Sequence, residues 1–247
     1  MRRFAGRGGL ELAYRETGEG RPLVLLHGFL ATGTQWLDHG PAAALAEQGY
    51  RVILPDLRGH GDSARPYDPA RYPPDVLTDD GLALIDRLEL DDYDLGGYSL
   101  GARIVLRMLV RGARPARAIV AGQGLAAVSG TARGGTNRRV LTALANGDAL
   151  EPGSPDAETA YWVTRLGGDP RALLQVLNSL VGTPEKALRQ VETPTLVAVG
   201  DQDADHASAD ALAAALPNAR YTRVPGDHWS ALTGPEFATA LTTFLTE

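Results

Sequence analysis

The chain has no cysteine among its 247 residues, a single lysine and no block of like charge. Without cysteine there is no disulfide scaffold, no thiolate nucleophile and no cysteine-ligated metal. Lys186 stands against 23 arginines, a usage that points to a GC-rich bacterial genome. Long hydrophobic runs are missing as well. Met1-Arg2-Arg3 could open a secretory leader, but Ala5 to Arg15 is interrupted by Gly6, Arg7, Gly8, Gly9 and Glu11, so no apolar segment follows. Ala118 to Ala132 carries no charge, yet with Gly122, Gln123, Gly124, Ser129 and Gly130 it is too short and too polar to span a bilayer. A net charge of −6 argues against nucleic acid and anionic membrane as partners. The expectation is a cytoplasmic protein that acts on a small molecule, with no internal repeat or low-complexity tract.

With 44% hydrophobic and 22% charged residues, the composition is that of an ordinary globular chain, long enough to bury most of its apolar surface in one core. The pattern alternates strands with helices. Leu10 to Arg15 reads as an early strand. Pro22 to Leu26 is a continuous apolar run, the mark of a strand buried on both faces. Gln35 to Gln48 reads as a helix and Tyr50 to Leu54 as a strand. Thr78-Asp79-Asp80 can cap a helix carrying Leu82, Ile85 and Leu88. Asp92 to Gly96 leads into a helical stretch from Leu100 to Arg111. Arg117–Ala121, Thr195–Val199 and Tyr221–Val224 are further strands, and Pro235 opens a final amphipathic helix. This alternation predicts an α/β fold: a mostly parallel central sheet with helices on both faces.

The segment 123–192 breaks the rhythm. It holds no clear strand but three amphipathic stretches, Thr136–Asn146, Ala157–Leu166 and Pro170–Val181. It is far too long for an ordinary loop. It is read as a helical lid inserted into a core formed by 1–122 and 193–247, set over the strands' carboxyl ends where ligands of such sheets bind. Extra helical layers with no role at the site are the plainer alternative.

Chemistry enters at Gly97-Tyr98-Ser99-Leu100-Gly101, a G-x-S-x-G between strand and helix. By chance the pattern should arise roughly 0.1 times in such a chain, so the context carries more weight than the letters. A sharp turn there lifts one hydroxyl clear of the sheet, and small neighbours allow close helix–strand approach. A serine nucleophile needs a base, and the base an orienting acid. Of the histidines, His228 lies just after the last strand, where it could reach Ser99. His206 is the rival base; His39 has no distinguishing context and reads as surface. Gly200-Asp201-Gln202-Asp203-Ala204-Asp205 supplies the acid. Asp203 has room to turn back over the sheet edge, whereas Asp201 and Asp205 read as turn-stabilising or solvated carboxylates.

Four motifs carry a resemblance to the α/β-hydrolase superfamily: Leu26-His27-Gly28-Phe29, Asp56-Leu57-Arg58-Gly59-His60-Gly61-Asp62-Ser63, the elbow at Ser99, and Gly226-Asp227-His228. The order Ser99, Asp203, His228 is the one such a fold uses. The resemblance implies a catalytic Ser99–His228–Asp203 set and an oxyanion hole from the backbone N–H groups of Phe29 and Leu100, with no metal or organic cofactor. It gives His27, Arg58 and His60 loop-fixing roles. Leu30, Trp36, Tyr98, Trp162 and Trp229, with Phe29 and Leu100, are candidates for the pocket wall, although each could equally be core.

Arg103 lies one helical turn past Ser99. With Arg107 and Arg111 it forms an i, i+4, i+8 stripe, the pattern of a solvated face. The stretch Gly97 to Arg103, with Leu26–Leu30 and Trp36, is also similar to the menaquinone-pathway synthase branch of the superfamily, which implies that Arg103 holds a substrate carboxylate. That branch usually has glycine where this chain has Ala102, and further lid arginines, for which Arg133, Arg138, Arg139 and Arg165 are available. The expected activity is hydrolysis of a small carboxylic ester or lactone. Carbon–carbon cleavage by the same residues and a non-catalytic binding protein on this scaffold are the alternatives.

Overall fold

Leu23 and Leu25 point to one side of the sheet, Val24 and Leu26 to the other, and all four are fully buried. That one strand sets the layering, because both faces must be covered. The computed structural model describes residues 1–38, 40–130 and 135–247. Its sheet contains β1 (Arg2–Ala5), β2 (Glu11–Thr17), β3 (Arg21–Leu26), β4 (Tyr50–Pro55), β5 (Asp94–Tyr98), β6 (Arg117–Ala121), β7 (Thr195–Gly200) and β8 (Ala219–Val224). The order is β1-β2-β4-β3-β5-β6-β7-β8. β2 runs antiparallel to β1 and β4, and all the other pairings are parallel.

The helices are α1 (Gln35–Asp38), α2 (Ala42–Glu47), α3 (Val76–Arg87), α4 (Leu100–Val110), α5 (Leu125–Ser129), α6 (Thr136–Asn146), α7 (Pro155–Arg165), α8 (Pro170–Ser179), α9 (Glu185–Leu188), α10 (Ala209–Ala215), α11 (Ser230–Thr233) and α12 (Pro235–Thr246). Leu84, Ile104, Leu106 and Leu212 from α3, α4 and α10 cover the Val24 face. Leu45, Leu232, Phe237 and Leu241 from α2, α11 and α12 cover the opposite face. No described helix is long and apolar enough to cross a membrane.

Several boundaries differ from the sequence reading. β1 was not expected; only Phe4 of its four residues is buried, too little pattern to read. The helix expected over Gln35–Gln48 is two short ones. Pro41 sits between them and cannot donate to a continuing helix. His39, expected on the surface, lies outside the described residues. The helix expected to be capped at Thr78 already begins at Val76, after Asp75 at φ 66°. Between β6 and β7 lie α5 to α9, with no strand among the described residues of that segment. α7 starts two residues early because Ser154 accepts the Ala157 N–H and Pro155 fills the first position. α8 stops at Ser179.

Two loops fix the edge where the strands end. Asp56 accepts N–H bonds from Gly33 (2.7 Å) and Asp62 (2.8 Å) and an ion pair from Arg15 (3.0 Å). Burial works against its charge, but these donors outweigh it and hold its carboxyl below the usual range. Arg58 is buried against Asp80 and the Arg7 carbonyl. His27 joins the loops: its Nε2 accepts the Leu57 N–H (3.0 Å), so its Nδ1–H donates to the Gly28 carbonyl (2.8 Å). His60 lies between the Arg58 and Phe29 carbonyls. A neutral ring can donate to only one of them.

Burial lowers His27 to about 3, so its ring is held neutral, and also pushes His60 down. The unfolded chain binds the His27 proton near the ordinary histidine value of about 6.5, and the folded chain does not. Its contribution to stability is therefore complete above that value and is lost progressively as pH falls toward 3. The denaturant midpoint should fall between pH 7.5 and pH 5. In His27→Gln the slope should shrink by up to one proton; an unchanged slope contradicts the account.

The helix after the elbow approaches β3 more closely than any side chain would allow. A Cβ on Gly101 would sit far inside contact of the Leu26 carbonyl, and one on Gly97 would meet the Gly101 backbone. Gly101→Ala should cost about 3 kcal/mol or more. Gly28→Ala, whose Cβ would make an ordinary 3.6 Å contact with Ser99, should change the denaturant midpoint little.

Candidate functional site

The carboxyl ends of β3, β5, β7 and β8 deliver the candidate residues to one edge. Ser99 follows β5 directly and holds φ 53°, ψ −112°, a conformation L-residues seldom adopt. Its N–H donates to the Ala121 carbonyl (2.8 Å), and its own carbonyl accepts the Arg103 N–H (3.2 Å) as α4 begins. The hydroxyl stays partly open. His228 Nε2 lies 3.0 Å from Ser99 Oγ, and His228 Nδ1 lies 2.7 Å from Asp203 Oδ2. A carboxylate only accepts, so Nδ1 carries the proton and Nε2 faces the serine as an acceptor. Burial of Asp203 opposes its charge, but hydrogen bonds from His206 and His228 hold it far below the usual carboxylate range.

His228 is held by its backbone too. Tyr98 Oη donates to the His228 carbonyl at 2.6 Å. Gly122, at φ 61°, lies against the ring; a Cβ there would sit 2.8 Å from Tyr98 and 3.2 Å from His228 Cε1. Asp227 accepts the Trp229 and Ser230 N–H groups, closing the turn that carries His228.

Gly28 lies close enough to Ser99 that a Cβ on it would meet the serine Cβ at 3.6 Å, and Gln35 Oε1 accepts the Gly28 N–H at 3.1 Å. Among the described residues, neither the Phe29 nor the Leu100 amide has a hydrogen-bond acceptor. Leu100 opens α4, where unpaired N–H groups and the helix dipole favour negative charge.

The expected pocket wall needs correction at two positions. Trp36 is fully buried, stacked on Phe237 in the core beneath the sheet, because α1 turns its apolar face inward. Tyr98 is buried as well; its ring packs edge-on to Phe237 and only its hydroxyl reaches the site. Leu30 packs with Phe29 against Leu141, Val163 and Leu173 of α6, α7 and α8. Trp229 is exposed, edge-on to His228 at 5.9 Å. Trp162 is exposed on α7 beside Tyr161.

The arginine stripe divides. Arg107 and Arg111 pair with Asp75 and Asp79 on α3. Arg103 turns to the inserted segment, its Nη2 donating to the Gly130 carbonyl (3.0 Å), and burial lowers its pKa. Of the other candidate arginines, Arg138 binds Asn178 and Arg139 pairs with Asp156. Arg133 lies outside the described residues. Sequence reasoning missed Gln35, Gly122 and the engagement of His206 with Asp203. Only Gly122 carried a signal, as the first residue past a strand.

Residues 23–240 match the model of the alpha/beta hydrolase family. A non-heme chloroperoxidase of Kitasatospora aureofaciens is 37% identical over 42% of this chain and 37% of its own length. A 2-hydroxymuconate semialdehyde hydrolase of a Pseudomonas species is 35% identical over 45% and 39%. The chain thus spans well under half the length of these two curated relatives. The crystal structure of the enol-lactonase from Burkholderia xenovorans superposes with a TM-score of 0.76 at 24% identity, all of each chain being covered, a likeness of fold. With the family model spanning most of its length, and the sheet order and elbow described above, the chain belongs to the alpha/beta hydrolase family.

Proposed function

We propose that the protein hydrolyses a small carboxylic ester or lactone through Ser99, His228 and Asp203. The observation that carries this reading is the continuous hydrogen-bonded line from Asp203 through His228 to Ser99. His228 Nε2 removes the hydroxyl proton as Ser99 Oγ attacks the acyl carbon. Asp203 holds the tautomer and balances the imidazolium that forms. The Phe29 and Leu100 amides receive the oxyanion, each such donor typically contributing about 3 kcal/mol. His228 then returns the proton to the leaving oxygen, and water, deprotonated by the same ring, releases the acid. None of these steps calls for a metal or an organic cofactor.

The segment 123–192 acts as a lid in this reading. Leu141, Val163 and Leu173 rest on Phe29 and Leu30, the loop that carries one oxyanion donor. Lid packing then sets both access to the acyl group and the position of that amide. Carbon–carbon bond cleavage with the same three residues is the second reading, favoured by the part-buried Arg103 guanidinium one helical turn past Ser99, a group suited to a substrate carboxylate.

A fluorophosphonate probe should label Ser99, and Ser99→Ala should lower kcat on p-nitrophenyl acetate or butyrate at least about 10³-fold. Arg103→Ala should leave that activity within several-fold. Absence of labelling in the folded wild type would return the protein to a binding role. Turnover of a carboxylated carbon acid that depends on Arg103 would favour the second reading.

A further inference from the structure

Asp203 serves two imidazoles. Its Oδ2 accepts from His228 (2.7 Å) and its Oδ1 from His206 Nδ1 (2.9 Å). The two rings stack, centroids 4.6 Å apart and planes inclined by 20°. The carboxylate is buried, and both rings are mostly so. His206 sits on a single 3₁₀ turn, Ala204–His206, immediately after the acid.

We propose that His206 is a positioning residue that shares the counter-charge of the catalytic base and sets its response to pH. This rests on the hydrolase reading above. With His206 neutral, its Nδ1–H pins one carboxylate oxygen, turns the other toward His228 and leaves the full negative charge to the imidazolium formed when Ser99 gives up its proton. A proton taken up at His206 Nε2 claims that charge and places a cation against the face of His228. His228 then accepts the Ser99 proton less readily. One carboxylate cannot compensate two stacked cations, so a proton on either ring opposes a proton on the other.

The surroundings leave this coupling intact. Ser99 and Tyr98 face His228, and the Tyr98 phenol is pushed up by burial and stays neutral. Asp227 is tied to Ser230 and Trp229, and Asp201 accepts the Gly226 N–H. Asp205, on the same turn, is exposed. α5, which packs against that turn, contributes no ionisable side chain. The donor atoms of Asp203, His206 and His228 are close enough to suggest an ion site, all within 4.8 Å. The nearly parallel rings argue against it, since their in-plane lone pairs do not converge and both Nδ1 atoms already hold the carboxylate.

The test is the pH profile of kcat/KM on p-nitrophenyl acetate. Two ionisations should be needed to describe the acid limb of the wild type. His206→Ala should need one and lose a few-fold at the plateau. His206→Asn, whose amide can still donate to Asp203 but does not titrate, should recover the plateau and keep the single ionisation. Proton NMR of the unaltered enzyme supplies a second measurement that needs no variant. Two downfield Nδ1–H resonances should appear, and His206 and His228 should each titrate in two steps. Superimposable wild-type and His206→Ala profiles, or independent single-step titrations, overturn the proposal while leaving the three-residue mechanism standing. Full activity in Ser99→Ala would instead overturn the mechanism itself.

Discussion

A hydroxyl can stand at the junction of a strand and a helix only if the backbone there is bent into a conformation it would not choose. Ser99 at φ 53° and ψ −112° carries a strain of order 1–3 kcal/mol. The strain persists because the surroundings over-determine it. The Ser99 N–H is bonded to β6, its carbonyl to the first turn of α4, and α4 is pressed through Gly101 onto β3 at Leu26 and onto β5 at Gly97. Relaxing the serine would require that whole packing to open. The bend aims Oγ at His228 and starts a helix at Leu100, so one distortion places both the proposed nucleophile and a helix-terminal amide on adjacent residues.

The remaining groups reach that space from independent directions, and each is fixed by its own hydrogen bonds. The β3 loop is held by Gln35, His27 and Asp56, Asp203 by its bonds to both imidazoles, and His228 by Tyr98 and the Asp227 turn. The order β4-β3-β5 makes this convergence possible. Chain connections leave β3 for one side and return to β5 on the other, opening a crevice between the two carboxyl ends. Phe29 and Ser99 stand on either side of that crevice. His27 shows how the bracing avoids titration: buried and held neutral, with its pKa lowered to about 3, it gives one nitrogen as donor and one as acceptor and keeps these roles at neutral pH.

The parallel sheet was legible because buried strands such as Pro22–Leu26 and Thr195–Val199 are continuous apolar runs, and a two-sided core permits little else. The turn at Ser99 and the placing of His228 and Asp203 just past strand ends were legible because glycine spacing and strand ends constrain where a chain can turn. Side-chain direction was not. Trp36 and Tyr98 sit beside motifs yet point into the core, since the helix rotation and strand parity that decide this depend on packing from α12, far away in sequence. The arginine stripe was equally opaque. Arg103, Arg107 and Arg111 share one helical face, but Asp75, held at φ 66°, captures the last two and leaves the first for Gly130. The role of Asp75 follows from a backbone conformation that no spacing announces.

The same division bears on specificity. The core holds the reacting groups by glycine contacts and backbone hydrogen bonds, which tolerate almost no change of side chain. The inserted segment meets that core through Leu141, Val163 and Leu173 against Phe29 and Leu30, through Val176 and Leu188 in the larger apolar cluster, and through hydrogen bonds such as Asp75 N–H to the Ser179 carbonyl, Tyr67 to Asp169 and Arg103 to the Gly130 carbonyl. Apolar contacts of this kind can be repacked at modest cost when total volume is kept. Exposed Trp162 and Tyr161 on α7 show that this segment does not bury its aromatics as the core does. In the proposed reading, such a scaffold keeps one bond-breaking geometry while the surface above it is rebuilt for different acyl groups, so that substrate choice would rest on the more repackable inserted segment and the chemistry on the glycine-packed core.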